Sequence, residues 1–109
     1  EGPCAFLDAF YQYLHDHIRE PLNLERVAVA FAMSPATLKR KLAKHGTHFQ
    51  EQLDLVRTHV ALYLYQSQGL GNEAVARHLG FNDTTNFRRA FKRWTGVVPS
   101  GLQPLFDAP

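Results

Sequence analysis

Two stretches of this chain say nearly the same thing, and that doubling restricts the fold more than any other feature. Residues 24–46 read LERVAVAFAMSPATLKRKLAKHG, and residues 72–96 read NEAVARHLGFNDTTNFRRAFKRWTG. Val27-Ala28 aligns with Val75-Ala76, Phe31-Ala32-Met33 with Leu79-Gly80-Phe81, and Leu38-Lys39-Arg40 with Phe87-Arg88-Arg89. The offset is 48 residues before the turn and 49 after it, so the second copy carries one extra turn residue. Repetition at such a period marks one supersecondary unit built twice. Each unit is an apolar helix, a tight turn and a second helix loaded with positive charge.

The net charge of +2 says little, but its distribution says more. Windows 35–46 and 84–96 hold eight of the 12 Lys and Arg residues and no Asp or Glu, while all 10 acids lie elsewhere. Two solvated helix faces would carry mixed signs. Charge gathered in two windows is the footprint of a polyanion binder. At 109 residues and 45% hydrophobic content, one compact unit or two very small ones can form a core. No apolar run approaches the roughly 20 residues that span a bilayer, and no secretory signal is visible. The single cysteine, Cys4, cannot pair internally and fits a reducing, cytoplasmic compartment. The start at Glu1, without an initiator Met, suggests a fragment of a longer protein.

Periodicity predicts an all-α fold of about seven helices. Phe6, Phe10, Leu14 and Ile18 step by four, giving an amphipathic helix from about Cys4 to Arg19 that Pro21 stops. Leu24 to Ala32 is short and apolar. Ser34 caps the next helix with Pro35 at its first position, and that helix runs to about His45 before Gly46. Phe49 to about Gln68 is the longest candidate: Phe49, Leu53, Val56, Val60 and Leu64 line one side, and Leu55, Leu62 and Tyr63 supply a second. Two apolar sides suit a helix sandwiched between two subdomains. Glu73 to Leu79 follows the Gly69 and Gly71 stop, Asp83 caps a helix running to about Thr95, and Pro99 opens a final short one. The expected organisation is an N-terminal helix-turn-helix subdomain over residues 1–48, a linker helix over 49–68 and a C-terminal helix-turn-helix subdomain over 69–109.

Helices that cross steeply need a small side chain at the crossing, which Ala28 and Ala76 supply. Gly80 accepts the positive φ of a tight turn, whereas Ala32 implies an easier backbone in the first copy. Met33 and Phe81 would plug the turns, and Leu38 with Leu42, and Phe87 with Phe91, would face inward. Plain helical hairpins explain these apolar positions equally well, but not the cations on both second helices. A recognition helix offers its N-terminal half to the major-groove floor and later cations to phosphates. The candidates in the first copy are Ala36, Thr37, Lys39 and Arg40, flanked by Lys41 and Lys44. In the second they are Thr84, Thr85, Asn86, Arg88 and Arg89, flanked by Lys92 and Arg93. Arg pairs with guanine, Asn with adenine, and Thr or Ala methyls pack on thymine. A linker of about 18 to 20 residues is a rod near 28 Å, close to the roughly 34 Å repeat of the major groove. A monomer could then set two different helices into successive grooves of an asymmetric site.

The second unit, AVARHLGFNDTTNFRRAFKRWTGVVPS, resembles the signature of the AraC/XylS class of bacterial transcription regulators: Ala, then Leu-Gly-Phe, then Phe-x-x-x-Phe-Lys, then Gly-x-x-Pro-Ser. SPATLKRKLAKHGTHFQEQLDLVR in the first unit is similar to members of that class. The likeness runs from about Leu24 to Ser100. It implies paired helix-turn-helix subdomains on a long helix, a separate sensing or dimerising domain, double-stranded promoter DNA as partner, and in many members contact with RNA polymerase. Matched by position, the family's base-facing sites fall on the candidates already named. Two places depart from the pattern. Val98 stands where a hydroxyl residue is usual, and Leu102-Gln103 where an aromatic-Arg pair is usual, so the last helix is expected to be poorly capped.

Six histidines raise the question of a metal, but His15 and His17 lie about 200° apart on a helix, and His45 and His48 bracket Gly46 without a Cys pair. No metal site is expected. Nor is a cofactor: Gly69-Leu70-Gly71 lacks the Lys-Ser/Thr of a phosphate loop. No catalytic spacing points to an enzyme. Trp94 has no evident place in the helical pattern. The competing function is a helix-turn-helix protein-interaction module docking an acidic partner such as RNA polymerase.

Overall fold

The computed structural model describes residues 5–98, and these form six helices and no strand. They are α1 (Ala5–Asp16), α2 (Leu24–Ala30), α3 (Pro35–Lys44), α4 (Phe49–Ser67), α5 (Asn72–His78) and α6 (Thr84–Thr95). The all-α, double helix-turn-helix architecture is as the sequence implies. The seventh helix expected at Pro99 lies outside the described residues, as do Cys4, Leu102 and Gln103.

The first helix is shorter than its apolar spacing implies. It stops at Asp16, although Ile18 is still buried. The Pro21 ring would meet the carbonyl of residue 17 in a continuing helix, so the chain must leave helical geometry a full turn earlier. His17 seals the exit by stacking on Tyr13, ring centroids 4.2 Å apart, and hydrogen-bonding Glu20 Oε2 at 2.7 Å. Three caps fix the next starts: the Asn23, Ser34 and Asp83 side chains accept from the backbone N–H of Arg26, Thr37 and Asn86. The α4 start is closed by His48, whose Nδ1 accepts from Glu51 N, while Thr47 Oγ1 donates to Glu51 Oε1 at 2.6 Å.

The chain divides into two compact units, with the boundary inside α4 after Val56. In the first unit, Phe10, Leu14, Val27, Ala28, Leu38, Leu42, Leu53 and Val56 are buried together. Phe31 and Phe49 pack their rings on Phe10. In the second, Val60, Ala61, Leu64, Tyr65, Val75, Ala76, Leu79, Phe87, Ala90 and Phe91 form the core. Tyr65 donates to Asn72 Oδ1 at 2.7 Å, tying α4 to the first residue of α5. Burial pushes the Tyr65 phenol up to about 12.

The long helix departs from expectation on its second side. Leu53, Val56, Val60 and Leu64 are buried as their spacing implies, but Leu55 is 41% and Tyr63 56% exposed, with Leu62 only half-buried. Ala61 and Tyr65 instead widen the buried face. The i,i+4 ridge sets the face that packs: Ala61 and Tyr65, one step past it, share the burial, while Leu55 and Tyr63, one step before it, turn to solvent.

Candidate nucleic-acid interface

Both turns between the paired helices close with the same hydrogen bonds. Met33 N donates to Ala28 O at 3.0 Å, and Phe81 N to Ala76 O at 2.9 Å. One residue earlier, Ala32 N donates to Val29 O and Gly80 N to Arg77 O, at 3.0 and 3.1 Å. This double bond is the Schellman closure of a helix, and it demands a left-handed residue at its centre. Gly80 supplies it with φ +85°, and Ala32 with φ +56°. The easier backbone expected of Ala32 is therefore corrected: the first turn has the same shape as the second, and Ala32 bears the steric cost of its Cβ. Ala28 and Ala76, 0% and 2% exposed, sit at the crossing and also accept the closing bond. The extra residue of the second copy, Asn82, falls between the plug Phe81 and the cap Asp83.

That turn fixes which side of each second helix looks outward. Leu38 and Leu42 on α3, and Phe87, Ala90 and Phe91 on α6, are buried. Ala36, Lys39, Arg40 and Lys44 are exposed, as are Thr85, Asn86, Arg88, Arg89, Lys92 and Arg93. Thr37 and Thr84 are half-buried, Thr84 lying on the flank of α6 nearest Phe87. Lys41 is exposed but leans toward α1, its ammonium 4.8 Å from the Phe6 ring centroid. Each helix thus gathers its candidates along one outer strip, with Lys41 and Thr84 at the margins.

No acidic residue lies in the first turn of α3 or α6, and both last turns carry cations. Cations near a C-terminus stabilise a helix through its dipole, which accounts in part for Lys41, Lys44, Lys92 and Arg93. It does not account for Lys39, Arg40, Arg88 and Arg89. Among the described residues, Asp16 pairs with His15 and Glu20 with His17 and Arg26, and none of the eight cations of the two strips is paired with a carboxylate. His17 first, with Arg26, holds the Glu20 carboxyl below its usual range. The charges of the strips face outward uncompensated, which favours a polyanion.

Three side chains expected from the sequence to read bases, Thr37, Arg40 and Asn86, are engaged locally. Arg40 Nη2 donates to Thr37 Oγ1 at 3.2 Å, and Asn86 Nδ2 donates to Asp83 Oδ2 at 3.2 Å. Trp94 also finds its place. Its ring packs against Phe81, Phe87 and Phe91 at centroid distances of 6.0 to 6.4 Å, with the Arg57 guanidinium 5.9 Å over it. Its ring lies on the aromatic, inner side of α6. Among the described residues, no group of three His, Cys, Asp or Glu side chains could hold a metal ion. No helix there is long and apolar enough to cross a membrane.

Comparison with known proteins bears on the helix-turn-helix fold. The family described as "Helix-turn-helix domain" matches residues 27–103. The chain is 44% identical over 78 residues to the ornithine utilization regulator of Pseudomonas aeruginosa, covering 72% of this chain and 23% of that protein. It is 43% identical over 74 residues to an uncharacterized HTH-type transcriptional regulator of Mycobacterium tuberculosis, covering 68% of this chain and 22% of the relative. It therefore spans less than a quarter of the length of either. Among solved structures, the C-terminal domain of AraT, a response regulator from Geobacillus stearothermophilus, superposes with a TM-score of 0.79 at 28% identity, over 93% of this chain and 85% of that one. A DNA-binding transcriptional dual regulator from Escherichia coli K-12 gives 0.75 at 27% identity, over 87% and 91%.

Proposed function

The chain belongs to the AraC-type helix-turn-helix family of transcription regulators, and from that premise we propose that it binds an asymmetric double-stranded DNA site through two different recognition helices. In this reading α3 and α6 enter successive major grooves of one duplex, with the subdomains of residues 1–48 and 69–109 each taking a half-site. The observation that carries it is the pair of outward cationic strips on helices whose inner faces are fully buried. Ala36, Thr37, Lys39 and Arg40 on α3, and Thr84, Thr85, Asn86, Arg88 and Arg89 on α6, face base edges or support those that do. Lys44, Lys92 and Arg93 reach phosphates. Lys41, set over the Phe6 ring, contributes least. The 19 residues of α4 are a continuous helix of about 28 Å, comparable to the roughly 34 Å repeat of the major groove.

Titration of a selected promoter duplex at several salt concentrations tests this reading. Specific binding should weaken steeply as salt rises, because each neutralised phosphate releases counterions and steepens the slope by about 0.9. Binding that is no tighter for a selected duplex than for random DNA would refute it. RNA polymerase and an attached sensing or dimerisation domain remain proposed partners through the family, in a cytoplasmic regulator. The bare interaction-module alternative has no structural feature in its favour, since cations on two separate helices match a phosphate backbone at least as well as an acidic protein.

A further inference from the structure

Three hydrogen bonds run in sequence along the outer edge of α3. Thr37 N donates to Ser34 Oγ at 3.1 Å, Ser34 Oγ donates to Thr37 Oγ1 at 2.9 Å, and Arg40 Nη2 donates to the same Thr37 Oγ1 at 3.2 Å. The cap of the helix is thereby linked to a guanidinium nearly two turns on. We propose that Thr37 is a positioning residue, holding the Arg40 guanidinium in the orientation that reads one guanine of the first half-site.

The chemistry of the groups supports this assignment. Thr37 Oγ1 already accepts twice, so both of its lone pairs are used and it cannot accept from a base. Arg40 spends one Nη2 hydrogen on Thr37 and keeps four other N–H donors, including one intact pair for guanine O6 and N7. A free arginine loses several rotamers on docking, so one already held costs less to immobilise and favours a single base geometry. The second unit is built differently at the matching places. Asn86, the counterpart of Thr37, donates its amide to Asp83 Oδ2, and the chain of bonds ends there without reaching Arg89. The fixed side chain is thus an Arg in α3 and an Asn in α6, which gives the two half-sites different chemistry.

The inference rests on α3 being a recognition helix, and a selection on randomised duplexes separates the two claims. The wild-type chain is selected first; no preference for any duplex would refute the proposed function and this inference with it. Given a preference, Thr37→Val, which keeps the shape and loses the acceptor, should reduce the guanine preference at one position by about tenfold. The salt slope should stay unchanged, because the Arg40 charge remains. Thr37→Ser should retain the preference, and Thr37→Val added to Arg40→Ala should change nothing further at that position. Thr37→Ala, a good helix former, serves as the second hydroxyl-free variant, and thermal melts check that all variants fold. Full preference in both hydroxyl-free variants would overturn the proposal. So would equal losses in the Ser and Val variants, or a Thr37 effect that persists without Arg40.

Discussion

Ala32 and Gly80 occupy the same left-handed corner, but only the glycine is free of steric cost there. A Cβ in this region costs roughly 1–2 kcal/mol, partly offset because glycine loses more freedom on folding. Ala32→Gly should therefore raise stability by about 0.5 kcal/mol, and Gly80→Ala should lower it by about 1 kcal/mol, both read by denaturant melts. An unchanged midpoint for both would mean the turns relax around the side chain. Nothing in the letters FAMS announces a positive φ, because an alanine gives no composition signal; the alignment of Ala32 with Gly80 was the only clue. Tyr65 offers a second test at this scale. Its folded value, raised to about 12 by burial from an ordinary 10, means that its stabilising contribution is complete below pH 10. That contribution is lost as pH rises through 12. Phenolate absorbance should show a late-titrating tyrosine that disappears in Tyr65→Phe, with the loss of stability between pH 10 and 12 reduced in the same variant. Ordinary titration of all four tyrosines would contradict the burial of Tyr65.

At the scale of single helices, α3 and α6 differ in how their charges are used. Arg89 is exposed on α6 and has no carboxylate partner among the described residues, so Arg89→Ala should weaken binding by about 1–3 kcal/mol. If Arg89 reads a base, preference relaxes at one base pair; a uniform loss over all duplexes would make it a phosphate contact. Lys44→Ala should reduce the salt slope by about 1, whereas Lys41→Ala should leave it nearly unchanged, because its ammonium is turned to Phe6. Equal slopes for the two variants would show that Lys41 swings to the backbone on binding. The helices themselves were legible because buried positions must recur with the helical period: Leu38 with Leu42 and Phe87 with Phe91 are buried as their spacing requires. Caps at Ser34 and Asp83 were readable from residue type next to an apolar run. The end of α1 was not, because Ile18 keeps the period after the backbone has turned. Leu55 and Tyr63 misled for a related reason: apolar composition shows which residues could be buried, not which neighbours are there to bury them.

Over the whole molecule, the doubling of the sequence becomes two closures of identical hydrogen bonding that carry unlike outer surfaces. Scaffold residues correspond pair by pair, Ala28 with Ala76 and Leu38 with Phe87, while the strips set Thr37 and Arg40 against Asn86 and Arg89. A twofold-symmetric dimer repeats one surface and reads a palindrome; two different units in one chain predict a site without that symmetry. Selection of bound duplexes from a random pool, followed by alignment of the enriched sequences, tests this most directly. The expected result is a two-part, non-palindromic site whose halves lie about one helical turn, roughly 10 base pairs, apart. A palindrome, a single unsplit element or no enrichment at all would contradict it.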